Sequence, residues 1–222
     1  MDHELAARGS GGLCSAFVEL LPVTGASISV FGEAGRQSTI CASDAVAARL
    51  DDLQFELGEG PHWEALRSGL PVLSSNLLAD ENPGWPVFGG AAAELGIRAM
   101  FAFPVVIGAV MVGVVDLYRT TPGELGGSAM ATALSLASSV AGPAVRQAVR
   151  SAGDDVPAEG ETAAAVRREV HQATGMILAQ LDTTATEAFS RLRAHAFATG
   201  RPVQEVAHDV VNRRLDFSQL PN

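Results

Sequence analysis

The sequence predicts an α+β protein, in which a domain of mixed strands and helices is followed by a small all-α bundle of three helices. Short β-rich runs alternate with Gly- and Pro-containing loops and helical stretches as far as residue 150. From residue 161 onward, apolar residues recur at helical spacing instead. The intervening segment SAGDDVPAEG is polar and contains Gly and Pro, which is typical of a linker. The predicted parts are therefore 1–150, 151–160 and 161–222.

The first part contains five predicted strands and several helices. The strands are GASISVF (25–31), QSTICAS (37–43), PVLSS (71–75), RAMFAFPVVI (98–107) and AVMVGVVDLY (109–118). The helices are predicted over 13–21, from a cap at Asp44 to Leu50, from Pro61 to about Arg67, over 91–96, and from about Gly127 to Arg150. Glycine-containing loops predict hairpins between the first two strands and between the last two.

The composition favours a folded cytoplasmic protein and excludes several enzyme classes. Hydrophobic residues make up 47% of the 222 residues, enough to bury a core. The first ten residues lack an apolar signal core, and no apolar run approaches the length of a membrane crossing. Two cysteines, Cys14 and Cys41, fit neither a disulfide framework nor a metal cluster. All 15 basic residues are arginine, so P-loop NTPases, pyridoxal enzymes and protein kinases are excluded, because each needs a lysine.

The charge is distributed unevenly along the chain. Residues 1–160 carry 8 arginines against 18 acidic residues, whereas residues 161–222 carry 7 of each. An acidic first part repels nucleic acid, or it merely keeps the protein soluble. The second part is free of this net repulsion.

Three apolar faces predict the helices of the second part. They comprise Val166, Val170, Ala173, Ile177 and Leu181; Ala185, Phe189, Leu192 and Ala196; and Val203, Val206, Ala207 and Val210. Turning the first helix by about 100° per residue places Arg168, Gln172, Gly175 and Ala179 on the solvent face and His171 on its flank. A glycine inside a helix costs about 1 kcal/mol relative to alanine. We interpret Gly175 as a point of close approach for a nucleotide, or alternatively for a neighbouring helix or a dimer partner.

Two arginines of the second predicted helix are further candidates for contact with nucleic acid. Arg191 lies on the outer face, and its guanidinium suits both phosphate groups and stacked bases. Arg193 lies nearer the edge of the core. It is either a second such contact or a structural residue whose stem covers apolar surface.

Five motifs follow one another in the first part. They are LQFELGEGPHWEAL (53–66), PV (71–72), WPVF (85–88), GIRAMFAFPV (96–105) and VGVVDLY (112–118). In this order they resemble the GAF family over most of residues 12–150. The resemblance implies an antiparallel sheet of about five or six strands with helices on both sides, which binds a small ligand or mediates dimerisation. It places a ligand-facing residue near His62, although a lone histidine is often an ordinary core or surface residue.

The second part contains VHQATGMILAQLDTTATEAFSRLRAHAF (170–197), followed by PVQEVAHDVV (202–211). These segments resemble the ANTAR family over residues 161–217. Members of that family bind paired small hairpins in nascent transcripts and prevent termination of transcription. The resemblance adds Thr174 to the candidate contacts, at a position where the family usually has a lysine.

These features together favour a signal-responsive, RNA-binding antitermination regulator that senses an unknown small ligand and forms a homodimer. No membrane partner, cofactor, metal site or catalytic residue is expected, since no nucleophile–base pair or metal-ligand spacing is present. Asp116 lacks the companions of a receiver phosphoacceptor and is interpreted as a strand-end residue. Two alternatives stay open. One is a DNA-binding regulator with a helix-turn-helix around Thr199–Pro202. The other is a dimerisation module without nucleic-acid activity.

Overall fold

The computed structural model describes residues 10–31, 37–80, 82, 84–153 and 161–220. The described chain divides into two compact units, the first ending with a long helix at residue 153 and the second beginning at residue 161. The predicted linker falls mostly outside the described residues. Its first three residues, 151–153, continue the preceding helix.

The first unit is built from a sheet with helices on both of its faces. In chain order its elements are α1 (Ser10–Leu20), β1 (Gly25–Phe31), β2 (Gln37–Ala42), α2 (Ala45–Leu57), α3 (Pro61–Ser68), β3 (Val72–Ser74), α4 (Phe88–Glu94), β4 (Ala99–Ile107), β5 (Val110–Arg119) and α5 (Gly127–Gly153). The five strands lie in the order β2-β1-β5-β4-β3. The pairs β1–β5, β5–β4 and β4–β3 are antiparallel. The predicted α+β class is confirmed.

Successive side chains of each strand point to opposite faces of the sheet. The two faces differ in composition. On β5, Val115 and Leu117 belong to the apolar core formed with α1 and α5. Tyr118 belongs to a second core formed with α2 and α4. Asp116 lies on the same face as Tyr118 and is buried there, at 3% exposure. The α2 side of the sheet therefore combines apolar packing with buried polar groups.

Helix α2 is seven residues longer than the sequence predicted. The Asp44 side chain accepts a hydrogen bond from Ala47 N at 2.8 Å, which caps the helix as expected. The helix continues past Leu50 to Leu57 and ends at Gly58, which has a left-handed φ of 58°. The prediction was too short because Asp51 and Gln54 are buried polar residues, which a search for apolar periodicity does not count as helix interior.

Cys14 of α1 and Cys41 of β2 are joined in a disulfide, with their Cα atoms 6.0 Å apart. The prediction that they form no disulfide was wrong. The sequence separation of 27 residues gave no sign of the pairing, which arises because both elements pack into the same core. Both residues are buried, at 0% and 8% exposure.

Helix α5 is long and apolar enough over Gly127–Val149 to cross a membrane, by length and composition alone. No such segment was expected from the sequence. One third of this span is buried inside the protein. Leu136, Val140 and Ala144 pack in the same core as α1, which accounts for part of the apolar content.

The second unit is a bundle of three α-helices and a short 3-10 helix. They are α6 (Glu161–Leu181), α7 (Ala185–Thr199), α8 (Val203–Val211) and the 3-10 helix Phe217–Gln219. Its fully buried residues include Val170, Ala173, Ile177, Ala188, Leu192, Ala196, Val206, Ala207 and Val210. Thr184 caps α7 by accepting a hydrogen bond from Glu187 N at 3.2 Å. Gly200 ends this helix with a left-handed φ of 64°.

Tyr118, the only tyrosine of the chain, connects β5 to the start of α2. Its hydroxyl donates to Asp44 Oδ1 at 3.0 Å. Burial, followed by the hydrogen bond to Asp44, raises the pKa of Tyr118 from 10.0 to about 12. The pKa of Tyr118 is higher in the folded state than in the unfolded state. The neutral hydroxyl therefore contributes fully to the free energy of unfolding at pH values below the unfolded-state pKa of 10.0, and this contribution is lost as the pH rises through about 12.

We expect the tyrosinate absorbance of the native protein to titrate near pH 12. In an Asp44→Asn variant the midpoint is expected to fall towards the ordinary value, because a neutral amide replaces the carboxylate. A spectrophotometric titration checks both values. A native midpoint at the ordinary value would contradict the described contact.

Candidate functional site

Three buried ionisable side chains meet on the sheet face covered by α2 and α3. His62 Nδ1 of α3 lies 2.5 Å from Asp116 Oδ2 of β5. Asp51 of α2 completes the group, and the three residues each offer one potential ligand atom, all within 4.8 Å of one another. Exposure is 0% for His62, 3% for Asp116 and 1% for Asp51. We call these three residues the buried cluster.

The strand register determines the position of Asp116. It pairs with Ser27 of β1 on one side and with Ala102 of β4 on the other. Residues directly opposite one another in a sheet point to the same face, so Asp116 is flanked by two small side chains. His62 reaches Asp116 from α3 above this row.

The start of α3 orients the imidazole. Pro61 occupies the first turn of α3 after Gly60, whose φ of 113° is accessible to few other residues. A Cβ at Gly60 would also come within 2.5 Å of Gln54 Oε1. Gln54 Oε1 accepts a hydrogen bond from His62 N at 2.9 Å, so the side chain of α2 caps α3. Trp63 Nε1 donates to the Gln54 carbonyl at 2.6 Å and reinforces this junction.

Asp51 is held by two hydroxyl groups from neighbouring strands. Ser29 Oγ of β1 donates to Asp51 Oδ1 at 2.9 Å. Thr39 Oγ1 of β2 donates to Asp51 Oδ2 at 2.6 Å. Both carboxylate oxygens therefore accept hydrogen bonds, which fixes the orientation of the side chain within the cluster.

Within the cluster, Asp116 has a raised pKa. Burial raises its pKa above 3.8, and the neighbouring charge of Asp51 raises it further, while His62 and the Gln54 amide act in the opposite direction. Within the described residues, the buried atoms Asp116 Oδ1 and Gln54 Nε2 make no hydrogen bond of good geometry. The Gln54 side chain is nevertheless close enough to act on the Asp116 carboxylate, so these two buried groups are weakly satisfied.

Aromatic rings cover the cluster on one side. The ring centroids of Phe31 and His62 are 5.7 Å apart, and those of His62 and Trp63 are 5.5 Å apart. Phe31 and Trp63 are 6.1 Å apart and partly exposed. Two aromatic rings therefore pack against the fully buried imidazole.

Sequence reasoning identified only one member of this cluster. It proposed His62 as a ligand-facing residue, and the structure places His62 in the buried cluster. The interpretation of Asp116 as a strand-end residue was wrong, because β5 continues to Arg119. Asp51 was missed entirely, since the proximity of α2, α3 and β5 depends on long-range packing that no local motif reports.

In the second unit, one side of α6 is exposed and carries small or uncharged residues. Gln172, Gly175 and Ala179 are all exposed, as the helical spacing predicted. A Cβ added to Gly175 would meet no atom of the described residues within 4 Å. We call these three residues the α6 strip. His171 is half-buried at its edge.

Thr174 does not belong to this surface. Its exposure is 8%, and its hydroxyl donates to the Val170 carbonyl at 2.8 Å. The expectation that Thr174 contacts nucleic acid is therefore corrected, because its side chain lies on the core side of α6. Arg168 belongs to the same helix, but its side chain lies outside the described residues.

The two candidate arginines of α7 differ in their surroundings. Arg191 is exposed and lies 3.3 Å from Glu187 Oε1, one helical turn away. Arg193 is half-buried, with its guanidinium carbon 5.7 Å from the centroid of the Phe189 ring. Phe197, which the sequence analysis did not propose as a contact, is 82% exposed on the same helix.

Helix α8 presents acidic groups that bind nearby arginines. Asp209 Oδ2 lies 2.7 Å from Arg201 Nη2, and Asp209 Oδ1 lies 3.7 Å from Arg214 Nη1. His208 Nδ1 lies 2.7 Å from Glu169 Oε1 of α6. These contacts connect α8 to its neighbouring segments and pair two of the arginines beside it, Arg201 and Arg214.

The hydrogen bond from Arg201 lowers the pKa of Asp209 below 3.8. A carboxylate whose pKa is lower in the folded state stabilises the fold when the pH is above its unfolded-state pKa. This stabilisation is lost as the pH falls through the folded-state pKa. We expect Arg201→Gln to bring the pKa of Asp209 back towards 3.8. A carboxyl-detected NMR titration measures this pKa. An equal midpoint in both proteins would show that the Arg201 contact is absent in solution.

Comparison with known families assigns the two units. The profile of the GAF domain family matches residues 11–142, and the profile of the ANTAR domain family matches residues 158–211. The chain belongs to the GAF family and carries an ANTAR domain. The GAF domain contains the buried cluster, and the ANTAR domain contains the α6 strip. No curated protein of similar sequence was found.

Solved structures resemble the GAF domain in fold at low sequence identity. A GAF domain of a phosphoenolpyruvate-protein phosphotransferase from Coxiella burnetii is 15% identical with a TM-score of 0.52, covering 68% of this chain and 91% of that one. The equivalent domain from Acinetobacter is 11% identical with a TM-score of 0.48, covering 67% and 90%. A type II free methionine-R-sulfoxide reductase from Thermoplasma acidophilum is 18% identical with a TM-score of 0.48, covering 66% and 96%.

The two families together define the general role of the protein. An ANTAR domain implies RNA-binding regulation by antitermination, and a GAF domain implies a sensory or ligand-binding role. Both are regulatory domains rather than catalytic ones. The chain is therefore a signal-transducing regulator of transcription.

Proposed function

We propose that this protein binds two adjacent small RNA hairpins in a nascent transcript through the α6 strip of its ANTAR domain. Binding prevents the transcript from forming a terminator, so that transcription continues. The GAF domain controls this activity by responding to a small ligand. The protein acts in the cytoplasm as a homodimer, which presents one ANTAR domain to each hairpin.

The exposed glycine of α6 carries the proposal. Gly175 weakens the helix by about 1 kcal/mol relative to alanine, and within the described part of the chain no atom lies within 4 Å of where its Cβ would be. A helical glycine without a packing role inside the chain is explained by an external partner that approaches the backbone closely. Gln172 and Ala179 lie on either side of Gly175 along the same face of α6. Gln172 supplies hydrogen-bond donors and acceptors for RNA.

Arginines at two other positions are proposed to bind phosphate groups. Arg191 is exposed, and its single ion pair with Glu187 is of the weak surface type that a phosphate can replace. Arg168 is assigned to the same surface by helical spacing alone. The ring contact of Arg193 favours its structural role over a phosphate contact.

The DNA-binding alternative is disfavoured by the charges of α8. In a helix-turn-helix this helix would enter the major groove, where phosphates line both sides. Glu205 is exposed on α8, and Asp209 already binds both Arg201 and Arg214. An acidic helix with two of its neighbouring arginines, Arg201 and Arg214, already bound to its own carboxylates is poorly suited to DNA.

The cytoplasmic assignment follows from the proposed target, a nascent transcript. Disulfides are uncommon in cytosolic proteins. Both half-cystines of the Cys14–Cys41 pair are buried, which limits access of cellular thiols to the sulfur atoms.

A binding experiment with the full chain tests the proposal. We expect selective binding to a labelled transcript with two adjacent hairpins, in competition with duplex DNA of equal charge over a salt series. Arg191→Ala is expected to weaken binding and to reduce the salt dependence, because one phosphate contact is lost. Gln204→Ala, on the exposed side of α8, is the control that leaves both unchanged. Equal affinity for RNA and DNA, or no binding to either, would contradict the proposal.

A further inference from the structure

The buried cluster has the chemical composition of a metal site. Asp51, His62 and Asp116 bring two carboxylates and one imidazole into a region where one atom from each lies within 4.8 Å of the others. Ligand atoms of a tetrahedral Zn²⁺ ion lie about 3.4 Å apart, since each bond is roughly 2.0–2.2 Å long. Bringing all three atoms onto one ion therefore requires side-chain rotations that shorten the widest separations by up to about 1.4 Å.

A second observation is an incompletely satisfied carboxylate. Asp116 is 3% exposed, and its Oδ1 atom makes no hydrogen bond of good geometry in the described part of the chain, although the Gln54 amide lies near this carboxylate. The other oxygen of the same carboxylate already contacts His62. The carboxylate of Asp51 offers an atom within 4.8 Å of the same group, and two neighbouring buried carboxylates are stabilised by a positive charge placed between them.

The surroundings resemble the outer shell of a metal site. Both oxygens of Asp51 accept hydrogen bonds from hydroxyl groups, those of Ser29 and Thr39. Hydrogen-bonded carboxylates with fixed orientation are typical around bound metals. The aromatic rings of Phe31 and Trp63 add a partly apolar cover, which limits the access of water to the cluster.

We infer that the GAF domain binds one divalent first-row transition-metal ion through Asp51, His62 and Asp116. The imidazole ligand favours ions such as Zn²⁺ or Fe²⁺ over Mg²⁺ and Ca²⁺, which prefer oxygen ligands alone. Three protein ligands leave at least one coordination position for water or a small molecule. The inference gives the sensory domain of the proposed function a specific ligand class, but metal binding itself is measured independently of RNA.

The test uses the full chain after removal of metals with a chelator. Zn²⁺ and Co²⁺ are titrated in the presence of a competing chromophoric chelator, with excess Mg²⁺ present. We expect saturable binding of one ion per chain, with at least a tenfold loss of affinity in His62→Gln and in Asp116→Asn. Glu94→Gln is the matched control, because Glu94 is an exposed carboxylate of the same domain and its loss leaves binding unchanged.

A measurement on the wild-type protein covers the case in which these variants fail to fold. The ring nitrogens of His62 are expected to shift strongly in the ¹⁵N NMR spectrum when one equivalent of Zn²⁺ is added. Absence of stoichiometric binding, or bound Zn²⁺ that leaves the His62 nitrogens unshifted, would overturn the inference. RNA affinity is measured on the same samples, so that loss of metal binding and loss of RNA binding are separately visible.

Discussion

Gly175→Glu is expected to lower the affinity of the protein for the two-hairpin transcript at least about tenfold, or about 1.4 kcal/mol. The substitution fills the open space over the α6 strip and places a negative charge where we propose that RNA phosphates approach. The helix itself should be unharmed, because glutamate is a better helix former than glycine. Fluorescence anisotropy with labelled RNA at constant salt measures the affinity, and circular dichroism measures the helical content.

Gln204→Glu is the matched control for this prediction. It also adds one negative charge to an exposed helical position of the ANTAR domain, but on α8 rather than on α6. We expect its RNA affinity to stay within about twofold of the wild type, a difference of roughly 0.4 kcal/mol. Equal affinities for the two variants would show that the α6 strip is not the RNA-binding surface.

Gly113→Ala is expected to destabilise the GAF domain by about 3 kcal/mol, the upper part of the range for overpacked cores. Gly113 lies in the central strand β5, opposite Val30 of β1. A Cβ there would collide with the backbone carbonyl oxygen of Ser29. Backbone in the middle of a sheet cannot yield without breaking its hydrogen bonds, so the strands β1 and β5 must separate.

Denaturant unfolding monitored by tryptophan fluorescence checks this prediction, since both tryptophans, Trp63 and Trp85, lie in the GAF domain. Gly90→Ala is the control. Gly90 lies in the helix α4, and an added Cβ meets nothing within 4 Å. We expect Gly90→Ala to be neutral, or stabilising by up to about 1 kcal/mol. A Gly113→Ala protein as stable as this control would contradict the strand register.

The secondary structure was largely predictable because its signals are local. Strand β1 has the predicted bounds, and Pro61 marks the start of α3 as expected. The exposed side of α6 followed from helical spacing alone. Each of these features depends on residues within a few positions of one another, where periodicity and capping are informative.

The buried cluster and the disulfide were not predictable in the same way. His62 and Asp116 are 54 residues apart, and they meet only because α3 packs across β5. Asp51 is a charged residue within an apolar helical pattern, which suggests an exposed position. It is buried because the Ser29 and Thr39 hydroxyls, on other elements, donate hydrogen bonds to it. Thr174 was misplaced for a different reason. The family resemblance suggested a contact there, whereas the helical spacing places it beside Val170 and Ile177 in the core.

Single-round transcription through a terminator preceded by two adjacent hairpins measures antitermination itself. We expect the full-length protein to increase readthrough of the terminator, whereas the Gly175→Glu variant at equal concentration does not. Replacing the hairpins by an unstructured sequence of the same length should abolish the effect of the wild-type protein. Readthrough that is unchanged by the wild-type protein, at a concentration that saturates the hairpins in the binding assay, would contradict antitermination by this chain.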